Sequence, residues 1–218
     1  MTEIVPRPPK RLVTRFSKHS TSTLAEVLGK RGFMNHEIKP IALGTKVTGP
    51  ALTVQCHVGD NLMLHKAIEI SVPGDVLVVN AGGYKEAGGM WGEIMALAAK
   101  LKRIEGLVID GAVRDVAAMR KMRFKVFTRA ISPGGTVKET GGLINKPVVC
   151  GGMLVNPGDM IVGDDDGVVV VPRDRLEEVI VMADKRVKKE EEIMKQLLQG
   201  KTTIEIYGFE KTLTRVMT

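Results

Sequence analysis

The strongest constraint on the fold is an alternation that runs from residue 73 to residue 131. "PGDVLVVNAGG" (73–83) reads as a turn, a buried strand and a glycine-rich exit. "MWGEIMALAAKLKR" (90–103) carries apolar residues at helical spacing, and "GLVIDGAV" (106–113) is the next buried strand. The chain then changes direction at Arg114 and Asp115, enters a short helix, and continues as the strand "FKVFTRAI" (124–131). Strand, helix, strand, helix, strand in this order predicts a parallel sheet segment, because parallel neighbours must be joined by a crossover.

The flanking sequence completes the expected architecture. The first sixteen residues, with prolines at 6, 8 and 9, read as an extended arm. "STSTLAEVLGKRG" (20–32) predicts a short helix capped by Ser22 or Thr23 and stopped by Gly32. "TKVTGPALTVQC" (45–56) is β-like with a Gly-Pro turn inside it, and "DNLMLHKAIEIS" (60–71) is a helix with Asp60 as its cap. From 147 to 172, short β runs separated by Pro-Gly-Asp and Asp-Asp-Gly predict hairpins. A charged amphipathic helix follows at 174–199, placed at a subunit interface, and then a weakly structured tail. The expectation is one α/β domain over residues 1–218, with a mixed sheet, a parallel βαβ segment flanked by helices, and β-hairpins in the second half.

Composition narrows the function classes. A chain of 218 residues with 44% hydrophobic and 26% charged residues is that of a soluble globular protein. Neither a signal-peptide core nor the ~20-residue apolar run of a membrane span is present. The two cysteines, Cys56 and Cys150, form no disulfide framework, which points to the cytoplasm. The net charge of +7 raises nucleic acid as a partner, yet the cations are dispersed and matched by acids, as in "DKRVKKEEEIMK" (184–195). No basic stripe interleaved with aromatics exists, which argues against nucleic acid.

Most candidate motifs have a plainer explanation. The histidines at 19, 36, 57 and 65 are too scattered for a zinc pair. "GYKEAGG" (83–89) matches neither the phosphate-loop nor the dinucleotide fingerprint. Cys150 reads as a buried structural thiol rather than a nucleophile, and "DDD" (164–166) as a hairpin turn rather than a cation site. Two segments remain, "GGMWGEIM" and "DGAVRD", each just past the carboxyl end of a parallel strand, where open α/β sheets bind ligands. The first offers backbone N–H groups at a helix start, suited to an anion. The second offers Arg114, able to grip a carboxylate with two parallel hydrogen bonds, and Asp115, a ligand for a hard cation. On residues alone, a site for enolate chemistry and a surface cap with a salt bridge both stay open.

Seven blocks in order, "GPALTV", "GDNLMLHKAI", "PGDVLVVNAGG", "WGEIM", "VIDGAVRDV", "PVVCGGMLVNPGD" and "DDDGVVVVPR", resemble the superfamily of class II 4-hydroxy-4-methyl-2-oxoglutarate aldolases, which also contains the non-catalytic regulator of ribonuclease activity A. The resemblance implies divalent-metal-dependent cleavage of a 4-hydroxy-2-oxo diacid, either 4-hydroxy-4-methyl-2-oxoglutarate or 4-carboxy-4-hydroxy-2-oxoadipate, to pyruvate and a 2-oxo acid. Oxaloacetate decarboxylation is implied as a side activity. It assigns Arg114 to the pyruvyl group and Asp115 to Mg²⁺ or Mn²⁺. Gly92, Glu93, Ile94 and Met95 would bind the substrate carboxylate, and Glu93 would also hold metal-bound waters. It further implies a homotrimer or homohexamer, with Glu190 or Glu192 of a neighbouring subunit closing the site. Glu93 itself departs from the relatives' usual Asp, and Asn80 stands at a position often acidic. The alternatives are a regulator binding a ribonuclease or helicase, and a different lyase of the superfamily.

Overall fold

The computed structural model describes residues 5–83 and 88–217. Two helices, α1 (Lys10–Phe16) and α2 (Thr21–Val27), precede the strands β1 (Lys39–Pro40) and β2 (Val47–Gln55). Then come α3 (Leu62–Ile70), β3 (Val76–Asn80), α4 (Glu93–Leu101), β4 (Gly106–Val113), α5 (Val116–Met122) and β5 (Val126–Ile131). Strand β6 (Leu143–Ile144) leads to two hairpins, β7 (Val148–Cys150) with β8 (Met153–Val155) and β9 (Met160–Asp164) with β10 (Gly167–Val171). A 3₁₀ turn at Arg173–Arg175 opens into α6 (Leu176–Leu198), followed by α7 (Thr203–Tyr207) and α8 (Glu210–Met217).

Strands β2, β3, β4 and β5 lie side by side and parallel, in chain order. Successive right-handed crossovers in one direction put every connecting helix on the same face, and α3, α4 and α5 do share one core cluster there. Both faces of these strands are covered, so their apolar runs are continuous while still alternating in destination. Leu77, Val79, Leu107 and Ile109 point to the helices. Val76, Val78 and Val108 point to the opposite face, which the β7–β8 hairpin covers with Val148, Cys150 and Val155. A third cluster joins the β9–β10 hairpin to α1, α2 and α6.

The mixed sheet curls almost into a barrel. Its order is β1-β5-β4-β3-β2-β9-β10, with β6 also on β2. The outer edge of β10 is closed by the segment before β1, where Met34 N–H donates to the Val168 carbonyl at 2.9 Å and Val170 N–H to that of Gly32 at 2.7 Å. Covering the edge removes the open backbone row that would template association. Among the described residues no helix is long and apolar enough to cross a membrane.

Several local expectations need correction. Residues 10–16 of the expected extended arm are helical, because Leu12 and Phe16, one turn apart, bury against α6; residues 1–4 lie outside the described residues. The cap of α2 is Ser20, whose hydroxyl accepts from Thr23 N–H at 3.2 Å, and its left-handed exit is at Gly29 rather than Gly32. No turn interrupts β2 at Gly49-Pro50. The strand changes partner there, Val47–Pro50 pairing antiparallel with β9 and Ala51–Gln55 parallel with β3. Gly49 is needed for space, since a Cβ would meet the Gly74 carbonyl oxygen at 2.3 Å. The tail forms α7 and α8, the first started by a capping box between Thr202 and Glu205. The "DDD" turn carries structural bonds: Asp164 accepts from Thr21 Oγ1 at 2.6 Å, and Asp165 from Gly44 N–H at 2.8 Å.

Candidate active site

The carboxyl end of β4, the start of α4 and the loop after β5 converge on Arg114 and Asp115. Asp115 precedes α5, yet its side chain makes no capping bond to that helix. Its Oδ2 instead accepts from the Glu93 N–H at 3.1 Å, at the first residue of α4. The backbone of Asp115 is left-handed, with φ 56° and ψ 35°. Lys30, Arg103 and Arg123 share that conformation but stand just past the ends of α2, α4 and α5, where it is routine. Before a helix it is a strained choice costing on the order of 1 kcal/mol or more. The strain turns the carboxylate away from its own helix and onto α4. A simple cap of α5 is therefore not what Asp115 is.

Arg114 and Asp115 form only a loose ion pair. Arg114 Nε lies 3.7 Å from Asp115 Oδ2, beyond the ~2.7–2.9 Å of a charge-assisted hydrogen bond, and both side chains are 44% exposed. The guanidinium fork and Asp115 Oδ1 have no protein partner among the described residues. Arg114 is held through its backbone, whose N–H donates to the Trp91 carbonyl at 2.8 Å. Trp91 is fully buried and stacks on Phe124 with ring centroids 5.9 Å apart, which anchors the turn entering α4.

Glycines form the wall around this pair. A Cβ on Gly92 would sit 2.4 Å from Asp115 Oδ2 and 3.3 Å from Arg114 Nε. A Cβ on Gly89 would meet Arg114 Cβ at 2.7 Å, and one on Gly88 would meet the Gly135 carbonyl oxygen at 1.9 Å. The loop after β5 thus packs its Gly134–Gly135 backbone on Gly88–Gly89 beside the guanidinium. That loop is tied down at its far end by Asp60, which accepts from Glu139 N–H at 2.7 Å and Thr140 N–H at 2.6 Å. The same carboxylate accepts from Leu62 N–H at 2.9 Å at the start of α3. The backbone N–H of Leu62, followed by those of Glu139 and Thr140, holds the Asp60 carboxyl down at about 2.

The structure brings together six of the residues singled out from sequence: Gly92, Glu93, Ile94, Met95, Arg114 and Asp115. Gly92 to Met95 carry the four opening N–H groups of α4, which no turn of the helix can satisfy. The Glu93 side chain is exposed, and Met95 is buried. Within one chain Glu190 and Glu192 lie elsewhere, on α6, where Glu190 pairs with Arg186 at 2.8 Å and Glu192 lies 4.0 Å from Lys195. Sequence reasoning missed the second glycine wall and the Asp60 tie. The signal for the wall was present as two Gly-Gly pairs, in "EAGGM" and "SPGGT". Residues 84–87 of the "GYKEAGG" segment lie outside the described residues.

The donor set suits a small hard cation. Asp115 supplies one oxygen without a protein partner and Glu93 a second exposed carboxylate. Mg²⁺ is commonly held by one or two carboxylates while keeping several waters. Among the described residues no group of three or more His, Cys, Asp or Glu side chains could cage a metal.

Comparison with known proteins places this geometry in context. Residues 21–170 match the family described as "RraA-like: Aldolase/RraA". A Halalkalibacterium halodurans protein named "Putative 4-hydroxy-4-methyl-2-oxoglutarate aldolase" is 38% identical over 174 residues, 80% of this chain and 82% of that protein. The structure of Streptomyces coelicolor RraAS2, described as an unusual member of the RNase ES inhibitor RraA protein family, superposes with a TM-score of 0.76 at 32% identity, covering 85% of this chain and 96% of that one. The RNA-processing inhibitor RraA of Thermus thermophilis superposes with a TM-score of 0.64 at 27% identity, over 70% and 92% of the two chains.

Proposed function

The chain belongs to the RraA-like family, Aldolase/RraA, and from that premise we propose that it is a divalent-metal-dependent aldolase cleaving a 4-hydroxy-2-oxo diacid to pyruvate and a second 2-oxo acid. The observation that carries the proposal is Arg114 and Asp115 held side by side at 3.7 Å, a loose ion pair that leaves the guanidinium fork and one carboxylate oxygen open at the start of α4.

In this reaction the substrate carboxylate rests on the N–H groups at the start of α4 other than that of Glu93, which Asp115 holds, and Arg114 takes the pyruvyl carboxylate and the 2-oxo oxygen with its planar fork. Asp115 would hold Mg²⁺ or Mn²⁺, with Glu93 as the second carboxylate, and the ion would supply Lewis-acid polarisation of the 2-oxo group. The C4 hydroxyl gives its proton to a water held by Glu93. The C3–C4 bond breaks, its electrons pass to the 2-oxo oxygen, and C4 becomes the carbonyl of the departing 2-oxo acid. Arg114 faces the enolate oxygen so formed, and stabilising such developing charge usually contributes more to catalysis than any other effect. The water beside Glu93 gives the proton it took to C3, which completes pyruvate. Oxaloacetate decarboxylation passes through the same enolate and belongs to the proposal as a side activity.

The active assembly in this proposal is a trimer or hexamer in the cytoplasm, with Glu190 or Glu192 of a neighbour closing the site. An exposed apolar stripe on α4, Ile94, Leu97 and Leu101, borders the site and supports cover by another subunit. The test is pyruvate release from 4-hydroxy-4-methyl-2-oxoglutarate and related 4-hydroxy-2-oxo acids. EDTA should abolish release, Mg²⁺ or Mn²⁺ should restore it, and borohydride should trap no adduct. Full activity after rigorous chelation would refute the metal-dependent assignment. The likeness to the two RraA structures favours a second reading, a protein-binding regulator, and the absence of pyruvate release from every substrate with Mg²⁺ present would select it.

A further inference from the structure

A second cleft lies at the opposite end of the sheet from Arg114. Lys46, Glu105 and Lys125 immediately precede β2, β4 and β5, and Gly74 stands two residues before β3, so they mark the amino ends of the four strands. Two cavities open there, of ≈ 570 and ≈ 300 Å³, and they share Lys46 and Lys125. The larger is lined by Val13, Pro50, Pro73 and Lys10, and the smaller by Arg120, Arg123 and Phe124.

The charges here are unbalanced. Among the described residues Glu105 is the one carboxylate lining either cavity, and it is taken by Lys125, while Asp165 behind the smaller cavity accepts from the Gly44 N–H at 2.8 Å. Arg7 is held by both oxygens of Asp75, at 2.7 and 2.8 Å, and Arg120 Nε donates to the Ile41 carbonyl at 2.6 Å. Lys10, Lys46 and Arg123 have no protein partner among the described residues. Unpaired like charges gathered around a concave, partly apolar surface repel one another and concentrate anions.

We propose that this cleft binds a phosphorylated small molecule, its dianionic group between Lys46 and Arg123 and its organic part against Val13, Pro50 and Pro73. Phosphate fits because one group carries about −1.5 to −2 charges and three acceptor oxygens, enough for several cations at once. The combined cavity lies in the ~300–1,000 Å³ range of small-ligand sites. Neither Arg114 nor Asp115 lines either cavity, and Arg120 and Arg123 stand at the end of α5 away from Asp115, so ligand binding there is separate from the candidate active site.

The test is calorimetric titration of the metal-free full chain with inorganic pyrophosphate at low ionic strength. Saturable binding below about 1 mM is expected. Lys46→Gln should weaken it by about tenfold, the loss of one charge-assisted bond, while Lys188→Gln on α6 should leave it unchanged. Absence of saturable heat would overturn the proposal. So would equal losses in the two lysine variants, which would mean general attraction to a net positive surface. Loss on Arg114→Gln with Lys46→Gln unaffected would place the anion at the other end of the sheet and overturn it too.

Discussion

Gly92→Ala is the sharpest perturbation of the candidate active site. Gly92 has φ −145° and ψ −169°, extended backbone that alanine adopts freely, so no conformational penalty enters. The whole effect comes from one methyl group placed 2.4 Å from Asp115 Oδ2. Ordinary contact requires roughly 3.4 Å or more, so the carboxylate must retreat by about 1 Å. Retreat breaks its bond to the Glu93 N–H, a cap-like interaction worth about 1 kcal/mol, and melting should show a loss of that size at most. Activity should fall much further, because a misplacement of about 1 Å in catalytic machinery can cost ~10²-fold. Pyruvate release at saturating Mg²⁺ gives the rate, and metal titration followed by activity gives the shift in metal requirement. Gly141→Ala is the control, since nothing lies within 4 Å of its Cβ position and its φ is not left-handed. Wild-type kcat/KM in Gly92→Ala would refute the placement of Asp115 at the reacting centre.

Further outcomes follow from the same contacts. Asp115→Asn should be partly rescued by excess Mg²⁺, whereas Arg114→Lys, which loses the planar fork, should lower kcat about 10²–10³-fold with no metal rescue; identical metal responses would contradict the division of roles. Asp60 has a folded pKa of about 2, below the ~3.9 of an unfolded aspartate, so its stabilisation is present above pH ~4 and is lost as pH falls towards 2. The melting-temperature gap between wild type and Asp60→Asn should therefore narrow from pH 7 to pH 2.5, and a constant gap would count against the three N–H bonds as its source. Burial first, then the nearby Asp60, pushes the Cys56 thiol up to about 12, and burial likewise raises that of Cys150. Neither should react with a disulfide reagent at pH 8 until the chain is unfolded, and rapid native labelling would refute their burial.

What the sequence disclosed was what short-range chemistry specifies. The strands β3, β4 and β5 announced themselves as apolar runs, and the β9–β10 hairpin by its Asp-Gly turn, because both signals lie within about ten residues. Gly49-Pro50 misled for the opposite reason. Locally it is a turn dipeptide, and only the arrival of β9 on one half of β2 and β3 on the other makes it the middle of a strand. The buried pair Leu12 and Phe16 was masked by the prolines before it. The capping box at Thr202 and Glu205 was legible and went unread. At the site, Arg114 and Asp115 were visible as neighbours in sequence, but the left-handed Asp115 backbone and the second glycine wall are tertiary facts. The basic cleft was hidden similarly, since Lys10, Lys46 and Arg123 are far apart in the chain and each looks like an ordinary surface cation.

The divided pairing of β2 also governs how the chain can be made. Its first half, Val47–Pro50, finds its partner only in Met160–Gly163, about 110 residues later. At a synthesis rate of ~5–20 residues per second, that row of backbone N–H and carbonyl groups waits on the order of 10 s after emerging from the ribosome. During that interval the nascent chain has an unsatisfied sheet margin next to a nearly finished parallel core, the state most open to pairing with another copy. Pro50 sits in this margin and offers no N–H to a stray strand, which blunts the edge at the position where β2 changes partner. A chain cut after β5 would keep the margin permanently, so the first half of this protein should aggregate when expressed alone, even though it contains every parallel strand.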